Sequence, residues 1–440
     1  MQEYFYDLVD SVGSCLQSDE IYTCTFRAED SDFVRFNHAA VRQAGTVRQR
    51  VLSLDLINGR RHAGGSITLA GDLRQDQAHL SRLLEELRQQ LPFLPEDPHL
   101  LYATEVCSST AAGRHQLPES SVAVEAILQA CRGFDLVGLY AAGGIYVGFA
   151  NSFGQRNWFA SYNFNCDWSL CLQGDKAVKT AYAGLRWEAD AFGGKVEEAA
   201  DQLEALQAPP RDIRPGNYRV YLAPAAVADV LGTLSWGGFG LKAHRTKKTS
   251  LLKMVESGQR LHPGVIIREN TREGVAPNFD AAGFMKPYQV TLIDAGGLGD
   301  CLVSPRSAQE YGVPANGAGS GEAPESVDMA GGQMPARDVL AELDTGVYVN
   351  NVWYLNYSDR VSSRITGMTR FATFWVENGE LRAPLNVMRF DETIYRMFGD
   401  NLLGLTDERA FLMDNSTYRR RSTASSRVPG ALVQEFAFTL

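Results

Sequence analysis

Ser250 and Lys253 stand one helical turn apart in Ser250-Leu251-Leu252-Lys253. This is the S-x-x-K spacing, in which a lysine amine takes the proton of a serine and leaves it nucleophilic. The same tetrapeptide also reads as a helix cap followed by a solvated lysine. Metal chemistry has less to work with. The seven histidines are His38, His62, His79, His99, His115, His244 and His262, and no two lie within five residues, so no helical pair of imidazoles exists. Cys166 and Cys171 are the nearest thiols, without a C-x-x-C. Gly296-Gly297-Leu298-Gly299 follows an apparent strand but lacks the Gly-Lys-Ser/Thr of a phosphate loop, and it reads as a tight turn. A basic run, Lys242, His244, Arg245, Lys247 and Lys248, sits beside Trp236 and Phe239. Arginine with aromatics makes a contact surface for an acidic partner or a peptide carboxylate. The same residues also fit a solvated loop beside two core aromatics.

These groups fall within one stretch, 218–260. Residues 218–222 alternate like a strand, and 225–234 are apolar at helical spacing, so a buried helix follows. Gly237-Gly238-Phe239-Gly240 turns the corner. A second helix starts near Thr249 or Ser250, either of which would cap it, and stops at Gly258.

This layout resembles the TldD/PmbA family of metalloprotease-like proteins. Catalytic members carry His-Glu-x-x-x-His on the buried helix. Overlaid here, the motif falls on 232–237, so both ligand positions are glycine (Gly232 and Gly237) and the base position is Thr233. Glycine has no side chain to give a metal. Catalytic relatives also use a cysteine near the C-terminus, whereas this chain has none after Cys301. The sequence therefore resembles the PmbA, or TldE, branch. Segments 32–45 and 346–381 carry the same likeness, which extends over nearly the whole chain.

The resemblance implies a cytoplasmic, metal-free subunit of a peptidase that degrades or matures peptides. A zinc-like metal belongs to a TldD-like partner in a heterodimer, with a homodimer as the other arrangement. The substrate is an unfolded or precursor peptide, held extended by strand addition to a sheet edge. Older family names mention DNA gyrase. Two other readings stay open: a self-sufficient hydrolase using Ser250 and Lys253, and a non-enzymatic homodimeric peptide-binding protein.

Composition fits this frame. A formal net charge of −10 argues against nonspecific nucleic-acid binding. No apolar run approaches the ~20 residues that span a bilayer. The acidic start, MQEYFYDLVD, is unlike a signal peptide. Seven scattered cysteines fit reduced thiols better than a disulfide framework.

The expected fold is α+β, with two smaller mixed domains at 1–95 and 96–212 and a larger strand-rich domain at 213–440. Helices are expected at 4–16, 75–91, 120–131 and 196–206. Strand 21–27 should turn back at 29–32 into 33–37, with a third strand at 47–57. Strands 135–140 and 145–149 should flank a turn at Ala141-Ala142-Gly143-Gly144, and 156–172 reads as strand. In the last region strands are expected at 264–269, 286–294, 346–357 and 369–377, the last running into an Asn378-Gly379 hairpin turn. Residues 314–335, poor in large apolar groups, read as a surface loop.

Overall fold

The computed structural model describes residues 1–173 and 176–440. The first sheet contains β1 (Ile21–Asn37), β2 (Ala40–Asn58), β3 (Arg61–Thr68), β4 (Ser109–Ala112), β5 (Asp135–Asn151), β6 (Arg156–Gln173) and β7 (Lys176–Gly184). Its order is β3-β2-β1-β5-β6-β4, with β7 also on β6. Helices α1 (Gln2–Ser14) and α2 (Leu73–Gln90) bury Phe5, Leu8, Leu80, Leu84 and Leu87 against one part of it. The Asp72 side chain accepts from the Gln75 N–H at 2.9 Å and caps α2. Helices α3 (Ser120–Ala130) and α4 (Ala189–Ala205) cover another part, around Trp168 and Phe192.

Two expected turns are absent. β1 runs straight through 29–32, and β5 runs straight through 141–144. Glu29 and Ser31 are buried rather than solvated, and both meet the distant C-terminal segment at Arg421. At Gly143 a Cβ would lie 2.2 Å from the Asp30 carbonyl, so glycine there permits close approach of two strands. The true reversal is at His38-Ala39, both at φ 51°. β1 pairs with β5 from Thr23↔Asn151 to Phe36↔Gly138. The stretches 1–95 and 96–212 thus share one sheet across the boundary expected at 95.

The second sheet is the strand-rich C-terminal unit expected at 213–440. It contains β8 (Gly216–Leu222), β9 (Ile267–Asn270), β10 (Gln289–Asp294), β11 (Gly297–Leu298), β12 (Ser326–Met329), β13 (Gly346–Asp359), β14 (Arg364–Glu377), β15 (Glu380–Pro384), β16 (Arg389–Thr393), β17 (Leu402–Met413) and β18 (Ser425–Phe438). The order is β11-β10-β9-β12-β18-β16-β14-β13-β8, and β8 pairs back onto β18, so five of the strands close a ring. Asn378 and Gly379, at φ 54° and 74°, make the expected hairpin turn between β14 and β15. The 314–335 segment is not all surface loop. It contains β12, wholly buried between β9 and β18, whose Asp328 is paired with Arg409 and Asn270. Its charge and short length hide it from an apolar pattern.

Helix α5 (Pro224–Ser235) packs on β13 and β18. Proline at its first turn needs no N–H partner there. Ala226, Val227, Val230, Leu231 and Leu234 recur every three or four residues and are at most 1% exposed. The short helices α6 (Leu241–Arg245), α7 (Leu252–Ser257), α8 (Pro305–Tyr311) and α9 (Val339–Leu343) complete this half.

Candidate functional site

The opposite stripe of α5 carries the small residues Ala225, Ala228, Gly232 and Thr233, with Asp229 among them. This stripe lines a cleft of about 1490 Å³. Its other walls come from β7, α4, β13 and β17. At the wall Lys179 Nζ pairs with the Asp167 carboxylate at 3.2 Å, and Asn350 Nδ2 donates to the Lys179 carbonyl at 3.0 Å. Near the end of α5, Trp353 stacks on Tyr354 at 4.1 Å, with the Arg370 guanidinium 4.1 Å above the Trp353 ring. Asp229 is open to the cleft but ringed by protein, and its carboxyl is pushed up to about 6. The main cause is desolvation, which Lys179 opposes and Asp167 reinforces.

The residues singled out from sequence separate sharply. Gly232 and Thr233 lie on α5 and line the cleft. Gly237 lies beyond the helix end, at φ 77°, where a Cβ would meet the Arg360 guanidinium at 2.6 Å. Trp236 lines the cleft and is 65% exposed; Arg360 stacks on it at 5.5 Å and donates to its carbonyl at 2.6 Å.

Phe239, by contrast, is 1% exposed and belongs to the C-terminal core, so it touches neither peptide nor partner. His244 is also interior. Its Nε2 lies 2.6 Å from the Gly238 carbonyl and must donate there, which leaves Nδ1 to accept the Cys301 thiol at 3.2 Å. Burial lowers the imidazole pKa and raises that of the thiol, so the pair is neutral. Lys242 and Arg245 are exposed, away from the cleft lining, and Lys247 pairs with Glu256 at 2.7 Å.

Ser250 and Lys253 do not form a nucleophile pair. Ser250 is fully buried, and the Lys253 amine lies over the Tyr395 ring at 5.8 Å. Neither Thr249 nor Ser250 caps α7: the Thr249 hydroxyl instead donates to the Gly238 carbonyl and accepts from the Leu251 N–H.

Two features escaped the sequence. Asp229 was detectable as the single ionisable residue in a helix that is otherwise apolar or small. The Cys301–His244 contact joins positions 57 residues apart, and no local signal marks it.

The sequence profile of the PmbA/TldA metallopeptidase C-terminal domain matches residues 215–440, just over half of the chain. The chain belongs to the PmbA/TldD family. Three solved structures share its fold. TldE from Thermococcus kodakarensis superposes with a TM-score of 0.76 at 14% identity, covering 99% of this chain and 100% of that one. A Thermotoga maritima protein named for modulation of DNA gyrase gives 0.76 at 13% identity, with 99% of each chain covered. A similarly named Bacteroides thetaiotaomicron protein gives 0.73 at 14%, covering 99% and 98%. No curated protein matches by sequence.

The matched domain is named for metallopeptidases, and the residues at the overlay positions do not fit a metal centre. The overlay positions offer Gly232, Thr233 and Gly237. Among the described residues no three His, Cys, Asp or Glu side chains converge as ligands. Among the described residues no helix is long and apolar enough to cross a membrane.

Proposed function

We propose that this chain is the metal-free, PmbA/TldE-like subunit of a peptidase. It holds an extended, unfolded or precursor peptide in its cleft while a metal-bearing TldD-like subunit cleaves it. The observation that carries this reading is the floor of the cleft. The stripe of α5 that would present ligands and base offers Gly232 and Thr233 to a space large enough for a peptide. The wall supports an extended substrate. Among the described strands β7 pairs only with β6, and its residues 178–181 line the cleft, so its outer edge, where Asn350 takes the Lys179 carbonyl, is suited to strand addition once that side chain gives way. In this assembly Trp236, Lys242 and Arg245 are the exposed residues of the contact set.

The test is reconstitution. The purified chain should bind an unstructured fluorescent peptide, contain no stoichiometric zinc by elemental analysis and leave the peptide intact. A TldD-like subunit carrying His-Glu-x-x-x-His should restore cleavage when added. Zinc-dependent hydrolysis by the isolated chain overturns the proposal.

A further inference from the structure

Asp229 is the one ionisable residue of α5. The neighbours that share its stripe, Ala225, Ala228 and Gly232, are too small to cover it, so the space above the carboxylate is the cleft itself. Among the described residues no donor is hydrogen-bonded to or ion-paired with that carboxylate, although Asp167 nearby is engaged by both Lys179 and Asn415. Two further residues of the lining are more than nine-tenths buried and hold oxygens without a partner: Ser235, at the end of the same helix, and Asn351, on β13. The lining as a whole carries seven acidic side chains against four basic ones. Three of those four bases are already paired, Lys179 with Asp167, Arg337 with Asp338 and Arg409 with Asp328, whereas only two of the seven acids are, Asp167 with Lys179 and Glu325 with Lys286.

Asp229 is exposed in the cleft, and among the described residues no cation lies within ion-pairing distance of it, so its charge is available to a cation that enters. Elsewhere in the same cleft the unpartnered oxygens of Ser235 and Asn351 can accept from the N–H groups of a bound peptide. We infer that Asp229 is the counter-ion of a subsite for a cationic nitrogen of the bound peptide, a lysine or arginine side chain or the α-ammonium. The upward shift of its pKa agrees, since a cation placed there would relieve it. This inference rests on the peptide-holding reading and adds a charge preference to it.

The experiment measures binding of three fluorescent peptides to the full chain by anisotropy. One is N-acetylated with a central lysine. The second is identical with norleucine at that position. The third has norleucine and a free N-terminus. The lysine or the free-amine peptide should bind about tenfold more tightly than the neutral one, as a charge-assisted hydrogen bond provides, and whichever gains identifies the nitrogen. Asp229→Asn should erase the gain and leave the neutral peptide unchanged. If Asp229→Asn weakens all three alike, Asp229→Glu, which keeps the charge, must restore the preference, and its failure overturns the inference. Equal binding of all three to the unaltered chain overturns the subsite while leaving the peptide-holding reading intact. Binding of none overturns both.

Discussion

Phe239 and Trp236 are three residues apart and of similar chemistry, yet the structure assigns them opposite roles. Phe239 is 1% exposed within the C-terminal core, whereas Trp236 is 65% exposed under Arg360. Phe239→Ala removes a whole ring from close packing and leaves a cavity that the surrounding strands cannot collapse into. Such truncations cost about 3–5 kcal/mol. Trp236→Ala removes mainly solvated surface and one exposed cation–π contact, about 1 kcal/mol or less. The two variants should therefore differ by at least about 2 kcal/mol in equilibrium urea unfolding followed by far- and near-ultraviolet circular dichroism. Peptide or partner binding should respond in the opposite order, with Trp236→Ala weakening it and folded Phe239→Ala retaining it. Equal stability losses, or a stable Phe239→Ala chain that no longer binds, would refute the assignment of these side chains.

Three further outcomes follow from interior contacts. Ser250→Ala should leave peptide binding and any reconstituted cleavage unchanged and shift unfolding by under about 1 kcal/mol, because the buried hydroxyl makes no more than a marginal contact with the Tyr357 hydroxyl. Arg421→Ala should destabilise by about 2–3 kcal/mol, measured by the same unfolding assay, since it strips a buried guanidinium bonded to Asn163 and Ser31, while the bond from the Arg421 backbone N–H to Glu29 survives. Arg421→Lys should rescue little of this, as one ammonium cannot reproduce the fork. For His244, burial holds the folded pKa below the unfolded value of 6.5, so below that pH the unfolded chain binds more protons. Stability should fall as the pH is lowered from about 7 to 5, and His244→Gln should flatten that part of the profile.

The C-terminal half was largely legible because its elements are local patterns. Val227, Leu231 and Leu234 announce α5 by spacing, and Asn378-Gly379 announces its hairpin by turn chemistry. That residues 232 and 237 are glycine is a chemical fact that needs no coordinates. The failures share one physical cause, a contact made far away in sequence. Glu29 and Ser31 look like turn residues until Arg421 arrives from the other end of the chain. Gly143 looks like a hairpin glycine until Asp30 is seen lying against it. Asp328 makes β12 look like loop until Arg409 pairs with it. Ser250 looks reactive until the fold encloses it. The cleft itself has no sequence signature, since β7, α4, α5, β13 and β17 meet only in three dimensions.

The ring of strands has a consequence for how the chain is made. β8, at 216–222, has one neighbour at 347–349 and the other at 431–438. Every strand of the first sheet has left the ribosome before β8 appears, so that half is free to form during synthesis. β8 must wait for β13 to emerge before it gains its first neighbour and for some two hundred residues before it gains its second. Such long-range closure is slow and leaves edges exposed. Emergence of β18 is therefore the step at which the ring of the second half can close, and nascent chains stalled before 431 are the species most in need of a chaperone.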